Sequence, residues 1–392
     1  MMIKDILHQK IISKKSIVMD WFKKKSSSIF FPFYSSFDLR DSGEKIVPVD
    51  ANIFPAGFNN VCEVDLESIP AILEQYIEQT YGGIKKVILL TEEHEKNIYY
   101  WDNVSTLKKI MEQAHLEVIV CVPGRNIQEE KEVENSLGQK IQLNLLRSNL
   151  KGVDLVISNN DFSLDYDIPE EIPLNPSPLM GWKYRRKDQF FKEYNMLAVE
   201  FAHLIGVDPW HLTIKTELFE PFDPEDPSTL KNLKHRLELF LQDLRSYYKD
   251  QEPFAFLKNN SGTYGLGITW VQSPDEVDHW NYKTRKKMKA SKGGRKVNKL
   301  ILQEGIATAL SDSQFCSEPV IYTIGAELVG GFLRTHSKKG VRENLNSPGA
   351  VYQKLCMSDL IVQVEGKDEE NVYGWISRLA LLSLAYEIKN RK

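Results

Sequence analysis

The run Phe256-Leu257-Lys258-Asn259-Asn260-Ser261-Gly262-Thr263-Tyr264-Gly265-Leu266-Gly267-Ile268 restricts this chain more than any other stretch. A β-prone apolar segment ends in a lysine, a loop with three glycines in six positions follows, and apolar residues resume. Glycine tolerates positive φ and lets backbone amides approach a ligand without a Cβ in the way. Successive amides in such a loop make a concavity for anions, and lysine adds a compact charge suited to phosphate. Lys258 stands before the glycines, so the run is neither the P-loop order G-x-x-x-x-G-K-[ST] nor the dinucleotide order G-x-G-x-x-G. A phosphate-holding flap and a plain glycine turn between two strands both fit the segment taken alone.

The surrounding sequence points to a mixed α/β chain. Its 392 residues exceed one ordinary core and suit two or three domains. In the first part, helical spacing over Leu66–Thr80 and Val104–Ala114 alternates with apolar runs at Lys86–Leu90, Glu117–Val122 and Val153–Ser158, after a short strand at Val47–Asp50. Helices alternating with β-branched runs predict a mainly parallel sheet covered on both faces. Four prolines within Pro169–Pro178 mark a crossing segment or linker. Beyond it, helices are expected over Asp188–Ile205, Thr229–Tyr248 and Glu369–Ile388. Strands are expected at Phe254–Lys258 and Leu300–Glu304, with a hairpin from Pro319–Ile324 to Glu327–Leu333.

Composition narrows the function. A net charge of −4 gives no reason to expect nucleic acid as the main partner. The basic run Lys283–Lys299 reads as a solvated loop, a lid over an anion or, less simply, a nucleic-acid contact. No apolar stretch is long enough to span a bilayer, and Met1–Lys25 reads as an amphipathic opening helix rather than a signal peptide. Cys62, Cys121, Cys316 and Cys356 are far apart, with no C-x-x-C and no zinc spacing, so free thiols in a reducing cytoplasm are expected.

Three further clusters carry chemistry. The stretch Asp38–Asn60 packs Arg40, Asp41, Asp50, Asn52, Asn59 and Asn60 among proline and glycine turns. It offers acidic acceptors for an ammonium and arginine or amide donors for a carboxylate, as an amino-acid substrate requires, though such residues also close turns. Arg185 and Arg186 suit bidentate carboxylate binding or, equally, a helix start. Gln303-Glu304-Gly305 ends a strand, Glu318 opens the hairpin, Arg334 closes it, and Asn344 and Asn346 lie in the turn beyond. Mg²⁺ takes hard oxygen ligands and keeps several waters, so Glu318 with Asn344 or Asn346 is a sufficient protein share.

The runs DLRDSGEKIVPVDANIFPAGFNN, SNNDFS, GWKYRRKDQFF, FLKNNSGTYGLGI, LQEGI, SEPVIY, GGFLRTH and RENLNSPGA resemble the proteobacterial glutamate–cysteine ligase family of the ATP-grasp type, from about Phe37 to the C-terminus. The resemblance implies an ATP-grasp fold over 166–392, preceded by an N-terminal α/β domain over 1–165 with a mainly parallel sheet and part of the substrate site. It also implies a cytoplasmic enzyme that forms γ-glutamylcysteine from ATP, L-glutamate and L-cysteine in the first step of glutathione synthesis, with no nucleic-acid or membrane partner. Another ATP-grasp carboxylate–amine ligase, such as one adding glycine to a dipeptide, is the alternative. The resemblance puts Lys258 and the flap residues Asn260, Ser261, Gly262, Gly265 and Gly267 on the ATP phosphates, and Gln303, Glu304 and Gly305 at the nucleotide hinge. Glu318 becomes the magnesium ligand, with Asn344 and Asn346 in the polar turn, and Arg334 faces the transferred phosphoryl. One departure stands out. Many ATP-grasp enzymes carry a late acidic-x-Asn pair on a strand, whereas after Asn346 this chain reads mainly as a helix and shows no equivalent.

Overall fold

The structure is a computed structural model and describes residues 2–248, 251–261, 267–290, 297–312, 315–364 and 366–391. Two short helices, α1 (Ile3–Ser13) and α2 (Lys15–Ser26), replace the single opening helix expected. They lead into an antiparallel pair, β1 (Tyr34–Asp41) and β2 (Ile46–Asn52). An α/β segment follows: α3 (Glu63–Tyr81), β3 (Lys86–Leu90), α4 (Ile98–Gln113), β4 (Glu117–Val122), β5 (Lys131–Glu134), β6 (Lys140–Leu145), α5 (Leu146–Asn149), β7 (Leu155–Ser158) and β8 (Leu174–Asn175). Its sheet runs β5-β6-β4-β3-β7-β8 and is parallel except at the β5–β6 hairpin, as the alternation of helix and strand predicts. Its central strands β3 and β7 are apolar on both faces, so Val87 and Leu89 join one core while Ile88 and Leu90 join another.

The second half starts with α6 (Lys187–Ile205), β9 (Thr216–Phe219), α7 (Pro227–Arg245), β10 (Ala255–Asn259), β11 (Ile268–Val271), α8 (Tyr282–Met288) and β12 (Leu300–Glu304). These form an antiparallel sheet, β11-β10-β12-β9, whose Ala255, Leu257, Leu300 and Leu302 pack on Leu233, Leu237 and Phe240 of α7. The chain closes with β13 (Ser311–Asp312), β14 (Phe315–Ile324), β15 (Glu327–His336), β16 (Ala350–Leu355), β17 (Ile361–Val364), β18 (Lys367–Glu370) and α9 (Val372–Lys389). Strands therefore follow Asn346, where the sequence reads mainly as a helix; β16 to β18 are short and partly exposed, and so lack a clear apolar alternation.

The site is positioned by a third sheet, ordered β16-β15-β14-β1-β2, with β13 off the path. Strands from the start of the chain thus share one sheet with strands from its end. Alternation sorts the side chains of this sheet. Phe37, Leu39, Ala51 and Ile321 enter a core with Leu379, Ala380 and Leu384 of α9 and Tyr194, Ala198 and Phe201 of α6. The opposite face carries Tyr34, Ser36, Asp38, Val320, Tyr322 and Phe332. By the same alternation Arg40 lies on the polar face with Asp38 and reaches Glu318, while a register irregularity opposite Asp38 and Leu39 leaves Val49 of β2 as the extra residue.

Cys62 and Cys356 are joined in a disulfide, Cα–Cα 5.2 Å, so the expectation of four free thiols is corrected. The partners are 294 residues apart and meet only because the Phe58–Asn60 turn before α3 packs on β16, which no local spacing reveals. Cys121 and Cys316 are free.

Arg185 locks the helical layer to the sheet. It is 1 % exposed, its Nε donates to Glu387 of α9 at 3.2 Å, and its Nη1 donates to the Ala51 carbonyl at 2.7 Å. Removing one member of a buried ion pair strands the other charge, at a cost of about 3–5 kcal/mol. Arg185→Ala should therefore lower stability by about that amount in urea unfolding; a change near zero would show that the pair carries no structural weight.

Candidate active site

Three surfaces meet above the polar face of the β1–β14 sheet. The sheet itself supplies Asp38, Arg40, Glu318 and Arg334. Arg40 Nε donates to Glu318 Oε2 at 2.6 Å, and Arg334 Nη1 donates to Glu318 Oε1 at 2.7 Å and Asp38 Oδ2 at 2.6 Å. All four side chains are buried. Burial opposes charge on Glu318, yet Arg40 and Arg334 hold it below the usual carboxylate range. On Asp38 burial wins over Arg334, and Glu318 and Asp50 push in the same direction, so its pKa is raised. The Coulomb field of Asp38 and Glu318 outweighs burial at Arg334 and keeps it firmly cationic. Two buried atoms of this constellation have no partner: Asp38 Oδ1 and Arg334 Nε.

The second surface is the β10–β12 sheet. Lys258, Phe256, Ile301 and Gln303 share one of its faces through direct cross-strand pairing. Lys258 Nζ donates to the Val49 carbonyl at 3.0 Å and lies in the fields of Asp50, Lys187, Asp38 and Arg40. Burial, against the pull of Asp50, lowers its pKa to about 8. The flap base is well defined. Asn260 Nδ2 donates to Asp188 Oδ1 at 2.6 Å, and Asn260 Oδ1 accepts from the Asp188 amide. Ser261 closes a turn on Asn259 Oδ1. Gly267 sits at φ +64°, which favours glycine. Gly262 and Gly265 lie outside the described residues.

The third surface is the carboxyl edge of the parallel sheet, where open α/β sheets bind ligands. Asn159, just past β7, donates to Tyr34 Oη and the Pro55 carbonyl and accepts from Tyr100 Oη and Asn103 Nδ2. Asn103 Oδ1 in turn accepts from the Gly57 and Phe58 amides, and Tyr322 Oη donates to the Ala56 carbonyl at 2.6 Å. The loop carrying Asn59 and Asn60 is fixed at this edge, with Asn59 exposed and Asn60 half-buried. Gly57, at φ +101°, has no room for a Cβ, which would stand 2.9 Å from Tyr322 Oη.

The structure thus separates the residues singled out in the sequence. Lys258, Arg334, Glu318 and Asp50 converge; Asp50 Oδ1 accepts from Lys187 Nζ at 2.5 Å, and although burial opposes its charge, Lys187 and Lys258 lower its pKa. Asn52 stands two residues along β2, on the same face as Asp50. Others turn inward. Arg40 also donates to the carbonyls of Val341 and Glu343, so it holds the Val341–Asn346 turn and Glu318 together. Asp41 accepts from the Gly43 amide and Tyr373 Oη, and Arg185 is the structural tie described above. Arg186 donates to the Arg185 and Lys183 carbonyls. Asn344 Oδ1 accepts from the Asn346 amide, and Asn346 is exposed. Glu304 is occupied by Lys45 Nζ at 2.6 Å, Tyr248 Oη at 2.7 Å and the Lys215 amide. Gly305 leaves room for the Phe254 ring, which an added Cβ would strike at 2.3 Å. Gln303 is wholly buried with neither amide atom partnered. Asp38 and Lys187 went unselected in the sequence; the alternation Ser36-Asp38-Arg40 was the available signal for the first, and the lysine closing GWKYRRK for the second.

The glutamate-cysteine ligase family model matches residues 8–388. Among solved structures, a candidate gamma-glutamylcysteine synthetase from Methylobacillus flagellatus KT superposes with a TM-score of 0.87 at 32 % identity, over 99 % of this chain and 96 % of that one. Two others are distant: a glutathione synthetase-like effector from Globodera pallida (TM-score 0.39, 9 % identity, 90 % and 84 % covered) and D-alanyl-alanine synthetase A from Vibrio cholerae (0.33, 8 %, 78 % and 81 %). No curated protein matches.

A lysine charged only below about pH 8 is a distinctive marker. With lysines reductively ¹³C-methylated, one resonance should titrate near 8 in the ligand-free protein and vanish in Lys258→Met. Because the charge is lost as pH rises through that value, anion affinity should fall across the same interval. A Lys258 resonance titrating with the exposed lysines would contradict the burial argument.

Proposed function

Since this chain belongs to the glutamate–cysteine ligase family, we propose that it uses ATP and Mg²⁺ to join the γ-carboxylate of L-glutamate to the amine of L-cysteine, as a cytoplasmic enzyme of glutathione synthesis. No helix among the described residues is long and apolar enough to cross a membrane. The observation that carries the reading is the placement of Lys258, bonded to the Val49 carbonyl of β2, beside the Arg334–Glu318–Asp38 constellation on the adjoining strands.

A carboxylate resists attack by an amine because oxide is a hopeless leaving group. Transfer of the ATP γ-phosphoryl to the glutamate γ-carboxylate gives an acyl phosphate and ADP. The cysteine amine then attacks that carbonyl, the C–N bond forms, phosphate departs with the former C–O electron pair, and the amine proton is released. In this scheme Lys258 and the flap amides bind the phosphates, and Arg334, fixed by two carboxylates, meets charge on the transferred group. The loop bearing Asn59 and Asn60, pinned by Asn103 and Asn159, lines the amino-acid side and orients it. Hard carboxylate oxygens suit magnesium, and Glu318 with the unpartnered Asp38 Oδ1 answers that need. When bound, the ion neutralises phosphate charge.

ADP release measured with paired amino acids tests the reading. Release should require glutamate and cysteine together; release with γ-glutamylcysteine plus glycine instead would overturn it. Arg334→Gln and Lys258→Ala should each lower kcat/KM by about 100-fold or more, the scale for losing one preorganised charge donor. Near wild-type turnover in either would remove that residue from the scheme.

A further inference from the structure

The Cys62–Cys356 bridge has a buried carboxylate at its side. Its two sulfurs and a carboxylate oxygen of Asp65 all lie within 4.8 Å of one another. Cys62 stands directly before α3, and Cys356 directly after β16. An aspartate follows each cysteine by three residues: Asp65 in the first turn of α3, and Asp359 in the short turn Met357–Leu360.

Asp65 is built into this place. Its Oδ2 accepts from the amide of Met357, the residue after Cys356, at 2.8 Å. The chain that carries one sulfur therefore also fixes the carboxylate beside it. Gly330 on β15, at φ +98°, leaves the room: a Cβ there would stand 2.6 Å from Asp65 Oδ2. Asp65 is 7 % exposed and forms no ion pair among the described residues. Burial and the neighbouring charge of Asp359 raise its pKa. A buried carboxylate beside a second one is costly unless a cation meets it.

We propose that Cys62, Cys356 and Asp65 form a site for a divalent cation of the zinc class, and that the disulfide is the oxidised, closed form of this site. Two molecules of a small thiol open it. They supply two electrons and two protons, the S–S bond of the bridge breaks, and the two thiols leave joined as their own disulfide. Binding of the ion then releases the protons of Cys62 and Cys356, because the thiolate is the ligand. Two sulfurs on a tetrahedral zinc stand about 3.7 Å apart, a separation within reach of side-chain rotation from Cα atoms 5.2 Å apart. Three protein ligands leave the fourth position to water. Thiolate ligands select zinc over magnesium, so this site is chemically distinct from any that holds nucleotide phosphates, and it does not depend on the ligase reading.

Its place in the fold gives the site a structural consequence. The Phe58–Asn60 turn, with Asn59 and Asn60, packs on β16 of the central sheet at this point. Under oxidising conditions the disulfide ties turn to strand, and under reducing conditions the ion keeps the same tie.

Cobalt titration of the full chain tests the site, because thiolate-bound Co²⁺ shows a sulfur-to-metal charge-transfer band that oxygen-bound Co²⁺ lacks. Protein reduced with dithiothreitol and then freed of it should take up one Co²⁺ per chain with this band, and Zn²⁺ should displace it. The oxidised protein should show no band. Cys62→Ser and Cys356→Ser should abolish it, Cys121→Ser and Cys316→Ser should keep it, and Asp65→Asn should weaken binding about tenfold or more. A reduced wild type without the band, a band that persists in both Cys62→Ser and Cys356→Ser, or unchanged affinity in Asp65→Asn overturns the proposal. So does a bridge that resists dithiothreitol in the folded protein. Should the variants misfold, alkylation of the reduced wild type decides: Zn²⁺ should protect Cys62 and Cys356 from iodoacetamide and leave Cys316 as reactive as before, and equal labelling of Cys62 and Cys356 with and without Zn²⁺ refutes the site. ADP release with glutamate and cysteine tests the ligase reading separately, so either can fail without the other.

Discussion

Four buried charges, Arg40, Glu318, Arg334 and Asp38, fix the rest of the structure. Taking ions out of water costs several kcal/mol each, and the loss is recovered only where geometry and additional hydrogen bonds are good. Here a single displaced strand would leave a carboxylate or guanidinium stranded. Arg40 and Asp38 come from β1, Glu318 from β14 and Arg334 from β15. Their mutual satisfaction therefore specifies the register of three strands at once, beyond what apolar alternation requires. Asp38 and Arg40, two residues apart on β1, both reach the polar face by simple alternation. Such a cluster adds little net stability against a hydrophobic replacement. Its presence in the middle of a sheet makes sense as preorganised charge for a highly charged ligand.

Around that cluster the remaining elements are held by hydrogen bonds that span long stretches of chain. Asn260 ties the flap base to the first turn of α6, and α6 delivers Lys187 to Asp50. Arg185, two residues earlier, grips the Ala51 carbonyl and Glu387. Asn159 uses all of its hydrogen-bonding capacity to hold Tyr34, Pro55, Tyr100 and Asn103 together. Few of these ties contact an open surface. They position the side chains that do, which is the division of labour expected when binding geometry must be kept within a fraction of an ångström.

Legibility in the sequence followed the reach of each signal. Regular elements with strong periodicity, such as Glu117–Val122, Leu300–Glu304 and the helices around Leu73, Phe201 and Leu237, were read nearly to their ends because the pattern is local. The strand Tyr34–Asp41 escaped notice because it is buried on both faces while one of them carries the charges of Asp38 and Arg40. Chemistry was legible by residue type and not by direction. Arg40, Asp41 and Arg185 belong to the right segments, but their donors or acceptors point into the protein. The Cys62–Cys356 pairing depends on the Phe58–Asn60 turn packing on β16 and leaves no trace in spacing.

Chain order and spatial order diverge in this molecule, and physical reasoning says why that is tolerable. An antiparallel strand pairs with its neighbour through backbone groups, which carry no memory of where in the sequence the strand arises. Joining β1 to β14 closes a loop of well over two hundred residues, yet closure entropy grows only with the logarithm of loop length, so the added cost over a short connection is modest. The compensation is the burial of Phe37, Leu39, Ala51 and Ile321 against α9 and α6. Two strands supplied from the front of the chain therefore share one polar face with strands built at its end, and Asp38 and Asp50, opposed across that hairpin, meet Arg334 and Lys187 there.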